Sequence, residues 1–288
     1  MTRVAYQGEP GAYGEEAALR HFARRGEAVE CVGLATFAAV FAALAAGACD
    51  VALVPVENSY AGSVHEVYDL LLESPAVVVG EVVLGVHHCL LAPPGLDLSA
   101  VRLARSHPQA LAQCAPFLHG RRIEPVASAD TAGAARLVAE TRPPHTAAVA
   151  GRAAAARYGL TILAADIEAA HDNRTRFLLL GRESPPPGPA SKTSVVIWAD
   201  HVPGSLARCL AAVADLGLNL TKIESRPSRE APWQYVFYLD FEGHAESDAG
   251  RRALAALRGV ARRVRLLGAY AAAPEPVDGA WPDPVPGR

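Results

Sequence analysis

A proline-rich stretch divides this chain of 288 residues into two parts. It covers 183–191 and reads S-P-P-P-G-P-A-S from Ser184 onward. Because proline fixes φ and has no backbone N–H, this stretch cannot form a helix interior or a central strand and predicts a semi-rigid linker. A second proline-rich stretch, 271–288, predicts a disordered tail. We therefore expect two folded units, at 1–182 and 192–270.

The first unit alternates strand-like and helix-like segments. Its clearest helix is predicted at 36–47, where Phe37, Val40, Phe41 and Leu44 have the i, i+3, i+4, i+7 spacing of one buried face. Alternation of this kind is typical of an α/β sheet domain. The other predicted segments are strands at 4–7, 50–56, 77–84, 85–92, 101–103 and 175–181, and helices near 13, 64–72, 109–118, 131–140 and 152–158. Pro116 argues against a continuous helix over 109–118.

The second unit has the order β-α-β-β-α-β. Strands are predicted at 193–199, 220–225, 234–241 and 264–270, with helices near 205–217 and 248–258. This order describes a ferredoxin-like sandwich, with both helices on one face of a four-stranded sheet. Since the edges of so small a sheet are exposed and can pair with a second copy, we expect a homodimer or homotetramer.

Composition excludes several classes of protein. The net charge is −3 and the pI about 6.4, so no basic excess is present to bind nucleic acid. No 18-residue apolar run occurs without interruption, which predicts no membrane span. The five cysteines form no C-x-x-C pair, and the first residues do not resemble a secretion signal. We expect reduced thiols, no bound metal and a cytoplasmic location.

Polar residues concentrate in three segments of the first unit, at 55–63, 106–109 and 173–177. In open α/β sheets, ligands bind beyond the carboxyl ends of strands and beside helix N-termini, whose free N–H groups suit a carboxylate. Taken singly, these residues also have ordinary structural interpretations. Glu57 can be a capping carboxylate, Asn58 a turn residue, and Thr175 a β-branched strand residue. A nucleotide site is not indicated, because G-x-G-x-x-G is missing.

The ordered set of motifs resembles the prephenate dehydratases. In the first unit the resemblance rests on five segments: V-P-V-E-N-S at 54–59, G-S at 62–63, H-C-L-L at 88–91, S-H-P-Q-A at 106–110 and T-R-F at 175–177. The second unit resembles the ACT regulatory domain of the same enzymes, through P-G-S-L at 203–206 and the E-S-R-P motif at 224–227. Ser205 replaces the alanine that is usual in the first of these two motifs. The resemblance covers about residues 1–270.

For the first unit, the resemblance implies two α/β lobes similar to type 2 periplasmic binding proteins, with the site in the cleft. The chain is expected to cross between the lobes near 85 and 160. The implied reaction converts prephenate to phenylpyruvate, with loss of carbon dioxide and water. No cofactor is expected, because the aromatic ring that forms receives the electrons.

The resemblance assigns proton donation to Thr175, and Glu57 competes on acidity if burial raises its pKa. Asn58, Ser59 and Arg176 are candidates to hold the pyruvyl carboxylate, although Arg176 is equally well interpreted as a structural ion-pair partner. The ring carboxylate must leave as a neutral molecule, so we expect apolar groups beside it, with Phe177 as a candidate. Further substrate contacts are predicted at Ser106, Gln109, Thr131 and Asn173.

The ACT resemblance implies phenylalanine as an allosteric effector, bound at a dimer interface. The candidate residues are Pro203, Gly204, Ser205, Leu206, Asn219, Glu224, Ser225 and Arg226. The loop at 202–205 begins a helix whose N–H groups can hold a carboxylate, while Asn219 and Glu224 can accept ammonium protons. Two alternatives stay open: an arogenate dehydratase, whose substrate carries an amine in place of the keto group, and a non-catalytic amino-acid sensor.

Overall fold

The computed structural model describes residues 1–170, 172–188 and 191–273. Within these ranges the chain forms three sheets, two in the first unit and one in the second. Residues 189–190 of the predicted linker and 274–288 of the predicted tail lie outside the described residues.

Lobe 1 is built on a mixed sheet with the strand order β2-β1-β3-β11-β5, in which β4 pairs with β3. Strand β11 runs antiparallel to both β3 and β5 and so lies between the two. The elements of lobe 1 are β1 (Thr2–Gln7), α1 (Tyr13–Ala23), β2 (Val29–Leu34), α2 (Phe37–Ala45), β3 (Val51–Asn58), β4 (Gly62–Ser63), α3 (His65–Glu73), β5 (Val77–Gly85) and β11 (Arg174–Gly181). The predicted helix over 36–47 is confirmed in position, and Thr36 Oγ1 caps it by accepting from Ala39 N.

Lobe 2 contains the second sheet, of order β10-β6-β9-β7-β8. The helix predicted at 109–118 is divided in two at Cys114, and Pro116 lies in the first turn of the second piece, where its missing N–H costs nothing. The elements are β6 (Cys89–Ala92), β7 (Leu103–Ser106), α4 (Pro108–Gln113), α5 (Ala115–Gly120), β8 (Glu124–Ala127), α6 (Thr131–Thr141), β9 (Thr146–Ala150), α7 (Arg152–Tyr158) and β10 (Thr161–Ala164).

Two segments connect the lobes, at 86–88 and 165–173. The first lies where the sequence predicts a crossing. The second begins after the predicted position near 160, because Thr161–Ala164 still pairs with β6 inside lobe 2. The segments are joined to each other, since Val86 N donates to Asn173 O at 2.8 Å and Ile167 N donates to His88 O at 3.0 Å. Both crossovers therefore form one hydrogen-bonded hinge between the lobes.

The second unit has the predicted β-α-β-β-α-β order, with strands arranged β13-β14-β12-β15. Alternate residues of the central strand face opposite ways: Val195 and Ile197 pack under the helices, whereas Val196 and Trp198 pack against lobe 1. The elements are β12 (Ser191–Trp198), α8 (Ser205–Ala214), β13 (Leu220–Pro227), β14 (Tyr235–Glu242), α9 (Asp248–Val260) and β15 (Arg263–Ala271). The ferredoxin-like sandwich is thus confirmed.

The sheet of the second unit and lobe 1 share one hydrophobic core. Val196, Tyr238 and Tyr270 lie in the same buried cluster as Val54 and Leu71 of lobe 1. Strand β15 approaches β5 so closely that a Cβ at Gly268 would lie 2.1 Å from Val78 O. The first and second units are therefore packed face to face and not held only by a linker.

None of the described helices is long and apolar enough to cross a membrane.

Candidate active site

A cavity of about 460 Å³ lies between the two lobes. Lobe 1 contributes Tyr13, Asn58, Thr175 and others from the ends of its central strands, while lobe 2 contributes residues from the starts of α4 and α6. The predicted contacts Gln109, Thr131 and Phe177 line this cavity together with Asn58 and Thr175. The structure thus brings five of the sequence-predicted residues to one space.

Thr175 is held by a single well-defined partner. Asn58 stands opposite Thr175 in the register of β3 and β11, and its Nδ2 donates to Thr175 Oγ1 at 3.0 Å. The orientation of the Asn58 amide follows from its own oxygen, since Oδ1 accepts from Tyr60 N at 3.1 Å and from Ala61 N at 2.9 Å. Thr175 Oγ1 therefore acts as an acceptor toward Asn58, which leaves its hydroxyl hydrogen available to the cavity.

The Asn58 amide begins a buried hydrogen-bond chain. Its Nδ2 also lies 2.7 Å from Asn173 Oδ1 and 3.1 Å from Arg174 O, so its two hydrogens serve three acceptors, Thr175 Oγ1 included. Asn173 Nδ2 in turn donates to Gln113 Oε1 at 3.1 Å. Because Gln113 Oε1 is an acceptor, His88 Nε2, at 2.8 Å, must be the donor to it. In the neutral ring of His88, Nδ1 is then the acceptor. It lies 2.7 Å from the Tyr13 hydroxyl, whose single hydrogen also reaches His87 O at 2.8 Å. The chain runs from lobe 1, through the hinge, to lobe 2 and back, and its donor and acceptor roles follow from Asn58 as far as the His88 ring.

Burial keeps two members of this chain neutral. Burial lowers the pKa of His88 below its usual value, although the Gln113 hydrogen bond and Glu168 act in the opposite direction. Burial, followed by the charge of Glu16, raises the pKa of Tyr13 well above its usual value. The chain is therefore a neutral donor and acceptor network at physiological pH.

Two sequence-predicted residues lie on the other side of the lobe 1 sheet. Glu57 precedes Asn58 on β3, and its Oε1 accepts from Lys222 Nζ of the second unit at 2.8 Å. Arg176 follows Thr175 on β11 and forms ion pairs at 2.7 Å with Glu81 and with Asp240. Since neighbouring strand residues face opposite ways, Glu57 and Arg176 cannot share the cavity with Asn58 and Thr175. This placement argues against Glu57 as a proton donor in the cavity, and of the two roles left open for Arg176 it favours the structural ion-pair partner.

Three further predicted contacts support the site from outside the cavity. Ser59 uses its N–H to donate to Arg174 O, so this amide is not available to a carboxylate. Ser106 is fully buried and donates from Oγ to Val149 O at 2.6 Å. Asn173 lies behind the cavity wall in the buried chain described above. Ser59, Ser106 and Asn173 therefore support or position the site and do not line the cavity.

No Lys or Arg is among the described residues that line the cavity. In place of basic side chains, helices α1, α2 and α6 begin there, through Tyr13, Phe37 and Thr131. The N-terminus of a helix carries a partial positive charge and free N–H groups. The cavity can thus hold a carboxylate by hydrogen bonds without a full ion pair.

One cluster at the hinge has donor atoms spaced as in a metal site. The ligand-type atoms of His87, Asp166 and Glu168 lie within 4.8 Å of one another. Each carboxylate already has partners: Arg152 contacts both oxygens of Asp166, and Glu168 accepts from His87 Nδ1 and from His88 N. We interpret the cluster as ion pairing that joins the two crossover segments.

A second cavity, of about 290 Å³, lies in the second unit at the start of α8. Pro203, Ser205 and Leu206 line it, as predicted, together with Tyr235 and Phe237. Gly204 has φ +78°, a conformation that favours glycine, and is the N-cap of α8. The other four predicted effector residues are elsewhere, on or beside the edge strand β13: Asn219, Glu224, Ser225 and Arg226.

The inward face of β13 contacts lobe 1. Glu224 bonds with Ser63 and lies 3.7 Å from His65 Nε2, while Arg226 donates to both oxygens of Asp69. Ser225 faces the opposite way and is exposed. The E-S-R-P motif is therefore a contact between the two units as well as a candidate effector segment.

Comparison with known proteins decides the family. The family model described as prephenate dehydratase matches residues 4–185, and the model described as ACT domain matches residues 193–259. The chain belongs to the prephenate dehydratase family. Its second unit is an ACT domain, as the sequence predicts.

Three similar proteins each match more than nine-tenths of the chain. An arogenate dehydratase/prephenate dehydratase of Arabidopsis thaliana is 44% identical over 93% of this chain and 72% of its own length. A solved prephenate dehydratase from Arthrobacter aurescens, in complex with L-Phe, is 30% identical, with a TM-score of 0.85 over 93% of this chain and 89% of that one. A solved structure described as GqqA, a novel type of quorum quenching acylase, is 36% identical, with a TM-score of 0.85 over 94% of this chain and 98% of that one.

The dehydratase unit also contains site residues that the sequence did not indicate. His88 and Tyr13 lie 75 positions apart, and Gln113 contacts both His88 and Asn173. A usable signal was present, since His88 opens the H-C-L-L motif and Gln113 lies four residues after Gln109 on one short helix.

Proposed function

We propose that this protein catalyses the decarboxylating dehydration of prephenate to phenylpyruvate, under control of phenylalanine through the ACT domain. The single observation that carries the catalytic half is the pairing of Asn58 with Thr175 at the cavity between the lobes. This pairing leaves the Thr175 hydroxyl hydrogen available to a space that none of the described Lys or Arg side chains lines.

The reaction needs one proton and no oxidant. The bond between the ring and its carboxylate breaks, and its electron pair enters the ring. The bond from the opposite ring carbon to the hydroxyl oxygen breaks, and that oxygen leaves with the added proton as water. Carbon dioxide and phenylpyruvate are the other products. Because aromatisation supplies the driving force, the protein has to assist departure of the hydroxyl and orient the substrate.

Thr175 is the donor to the departing oxygen. A threonine hydroxyl is a weak acid, so its contribution comes from a hydrogen bond that strengthens as negative charge develops on that oxygen. Asn58 holds Thr175 Oγ1 by donating to it, which excludes the alternative in which the threonine hydrogen bonds back to the protein at that position. Removal of one such preorganised donor typically lowers kcat by about 10²–10³.

The two carboxylates of the substrate are treated differently. The pyruvyl carboxylate stays and needs a firm position, for which the start of α6 at Thr131, with Gln109 beside it, offers N–H and side-chain donors. The ring carboxylate must become carbon dioxide, and an ion pair there would stabilise the ground state. Phe177, Leu53 and Pro55 give the cavity an apolar wall that fits this need.

The cavity at the start of α8 is the effector site that we propose for phenylalanine. The N-terminal turn of α8 can hold the carboxylate of an amino acid, and Leu206 with Phe237 can contact an aromatic ring. The outward face of β13, with exposed Ile223 and Ser225, is available to complete this site in a second copy. We therefore expect a homodimer or homotetramer formed through ACT domains. We also expect the protein in the cytoplasm.

The test is direct. Purified protein is mixed with prephenate, phenylpyruvate is followed by its absorbance, and phenylalanine is added in a parallel series. We expect turnover without added metal or cofactor, and a change in rate with phenylalanine. Absence of turnover by folded protein contradicts the catalytic proposal. Turnover without phenylalanine binding in calorimetry contradicts the regulatory one, and light scattering gives the oligomeric state.

Arogenate is a second candidate substrate, favoured by one observation. Two carboxylates, Glu66 of lobe 1 and Asp130 of lobe 2, line the cavity and can accept protons from an ammonium group. Asp130 uses Oδ1 to cap α6, which leaves its other oxygen available. The ratio of kcat/KM for arogenate and prephenate decides between the two, and Glu66→Gln should lower this ratio if arogenate is the preferred substrate.

A further inference from the structure

Two consecutive rungs of the lobe 1 sheet connect the catalytic pair to the ACT domain. In the register of β3 and β11, Asn58 pairs with Thr175, and the next rung pairs Glu57 with Arg176. The first rung faces the cavity, and the second faces the ACT sheet. A shift of β3 or β11 that is imposed from the ACT side must therefore move the catalytic side as well.

The two members of the second rung are held very differently. Arg176 is largely buried and has three partners, Glu81, Asp240 and Tyr270. It is a fixed anchor, because a buried charge that loses its partners is strongly unfavourable. Glu57 has a side chain 37% exposed, and its one partner among the described residues is Lys222. Of the two, Glu57 is the member whose contact can change without unfolding the interface.

Lys222 lies between two carboxylates. Its Nζ is 2.8 Å from Glu57 Oε1, 3.3 Å from Ser63 Oγ and 3.5 Å from Glu224 Oε2. Glu224 belongs to the E-S-R-P segment, and its carboxylate also bonds with Ser63. A change in the position or pairing of Glu224 therefore alters how strongly Lys222 holds Glu57, because one ammonium group is shared by both carboxylates.

We propose that the Lys222–Glu57 contact transmits the state of the effector strand to the Asn58–Thr175 pair. The proposal rests on the proposed function, since it names the path by which phenylalanine would change dehydration. In this path the bound effector changes the position of β13. The Lys222 ammonium group then shifts between the Glu224 and Glu57 carboxylates, and the resulting movement of β3 repositions Asn58. Effector coupling in proteins typically changes affinity about 5- to 150-fold, a range that one strand shift at a donor can supply.

The chain offers a matched control. Asp69 is a second carboxylate of lobe 1 that binds a basic residue of β13, through Arg226. It lies on α3, and its neighbours in sequence do not line the cavity. Glu57→Gln and Asp69→Asn each neutralise one carboxylate at the same interface. Only Glu57→Gln changes a residue next to the Asn58–Thr175 pair.

The experiment compares wild type, Glu57→Gln, Asp69→Asn, Lys222→Met and Lys222→Arg. For each protein, kcat with and without saturating phenylalanine gives the response ratio, and calorimetry gives phenylalanine affinity. We expect Glu57→Gln and Lys222→Met to bind phenylalanine within about threefold of wild type. We expect the logarithm of their response ratio to fall to half of the wild-type value or less. Lys222→Arg should restore part of the response, and Asp69→Asn should respond as wild type does.

Two results would overturn the proposal. One is a Glu57→Gln protein that binds phenylalanine and responds as strongly as wild type. The other is an Asp69→Asn protein that loses as much response as Glu57→Gln, since any ion pair at the interface would then serve. If Lys222→Met fails to fold, the comparison of Glu57→Gln with Asp69→Asn still decides. A wild type that turns over prephenate without responding to phenylalanine contradicts the proposed regulation itself.

Discussion

Asn58 donates from Nδ2 to Thr175 Oγ1 across 3.0 Å, and the two residues stand opposite each other on adjacent strands of lobe 1. The asparagine is buried and is itself fixed by two backbone N–H groups. The threonine is thus held as an acceptor on one side and is free to donate on the other. This arrangement holds the hydroxyl that we propose as the donor in place before the substrate arrives.

Replacement of Thr175 tests the donor directly. Thr175→Ala should lower kcat by about 10²–10³ with a much smaller change in KM, because the lost hydrogen bond is strongest in the transition state. Thr175→Ser keeps the hydroxyl and should retain most of the activity. Both are measured by phenylpyruvate formation from prephenate. Near-normal turnover by a folded Thr175→Ala protein would remove Thr175 from the mechanism.

Asn58→Asp tests whether the direction of the hydrogen bond matters. An ionised aspartate can still accept from Tyr60 N and Ala61 N, but it has no proton to donate to Thr175 Oγ1. The Thr175 hydroxyl would then donate to the carboxylate and not to the substrate. We expect a loss of kcat comparable to that of Thr175→Ala, and little further loss in the double variant. Independent losses that multiply in the double variant would show that the two residues do not act as a unit.

The family motifs predict most of this site, but the sequence alone does not place two of its residues. The segments P-V-E-N-S and T-R-F do meet at one place, as expected. The motifs alone favour Glu57 as a residue of the same cavity as its neighbour Asn58, and they leave Arg176 open between that cavity and a structural ion pair. Alternation along a strand forbids a cavity shared by such neighbours, and applying the period of two to each segment would have separated the pairs. Which member of each pair faces the cavity required the structure.

Other features depend on contacts between distant residues, which sequence patterns do not reveal. The ferredoxin-like sandwich of the second unit could be predicted from its β-α-β-β-α-β order, but not its packing face to face on lobe 1. That packing depends on a shared core and on the close approach of Gly268 to Val78. Similarly, the contact of His88 with Tyr13 joins positions far apart in the chain, and neither residue has a diagnostic spacing.

Arg176 should contribute to stability and not to substrate binding. Burial raises the pKa of the Glu81 carboxyl, but Arg176 and Lys192 outweigh that effect and hold it below its usual value. Arg176→Met leaves Asp240 without its cationic partner in the interface, which typically costs about 3–5 kcal/mol of unfolding free energy. Arg25→Met, which removes an exposed pair with Glu27, should cost less than about 1 kcal/mol. Urea unfolding measures both, and a large rise in KM with little loss of stability for Arg176→Met would instead support a substrate contact.

His88 should make the stability of the protein depend on pH. Because burial lowers its pKa in the folded state below the ordinary value of about 6.5, the unfolded chain binds the proton more readily. The stability contributed by neutral His88 is therefore present above about pH 6.5 and is lost as pH falls through the folded pKa. His88→Gln removes the titrating group, while its amide can still accept from Tyr13 and donate to Gln113.

We thus expect wild type to lose more unfolding free energy than His88→Gln between pH 7.5 and pH 5, by about 1.4 kcal/mol for each unit of depressed pKa. Urea unfolding at several pH values gives the difference directly. His21, whose pKa burial lowers to about 4, is present in both proteins and cancels in the comparison. Equal losses in the two proteins would show that His88 is not held neutral by the fold, and the donor and acceptor order deduced from Asn58 to His88 would then have to be abandoned.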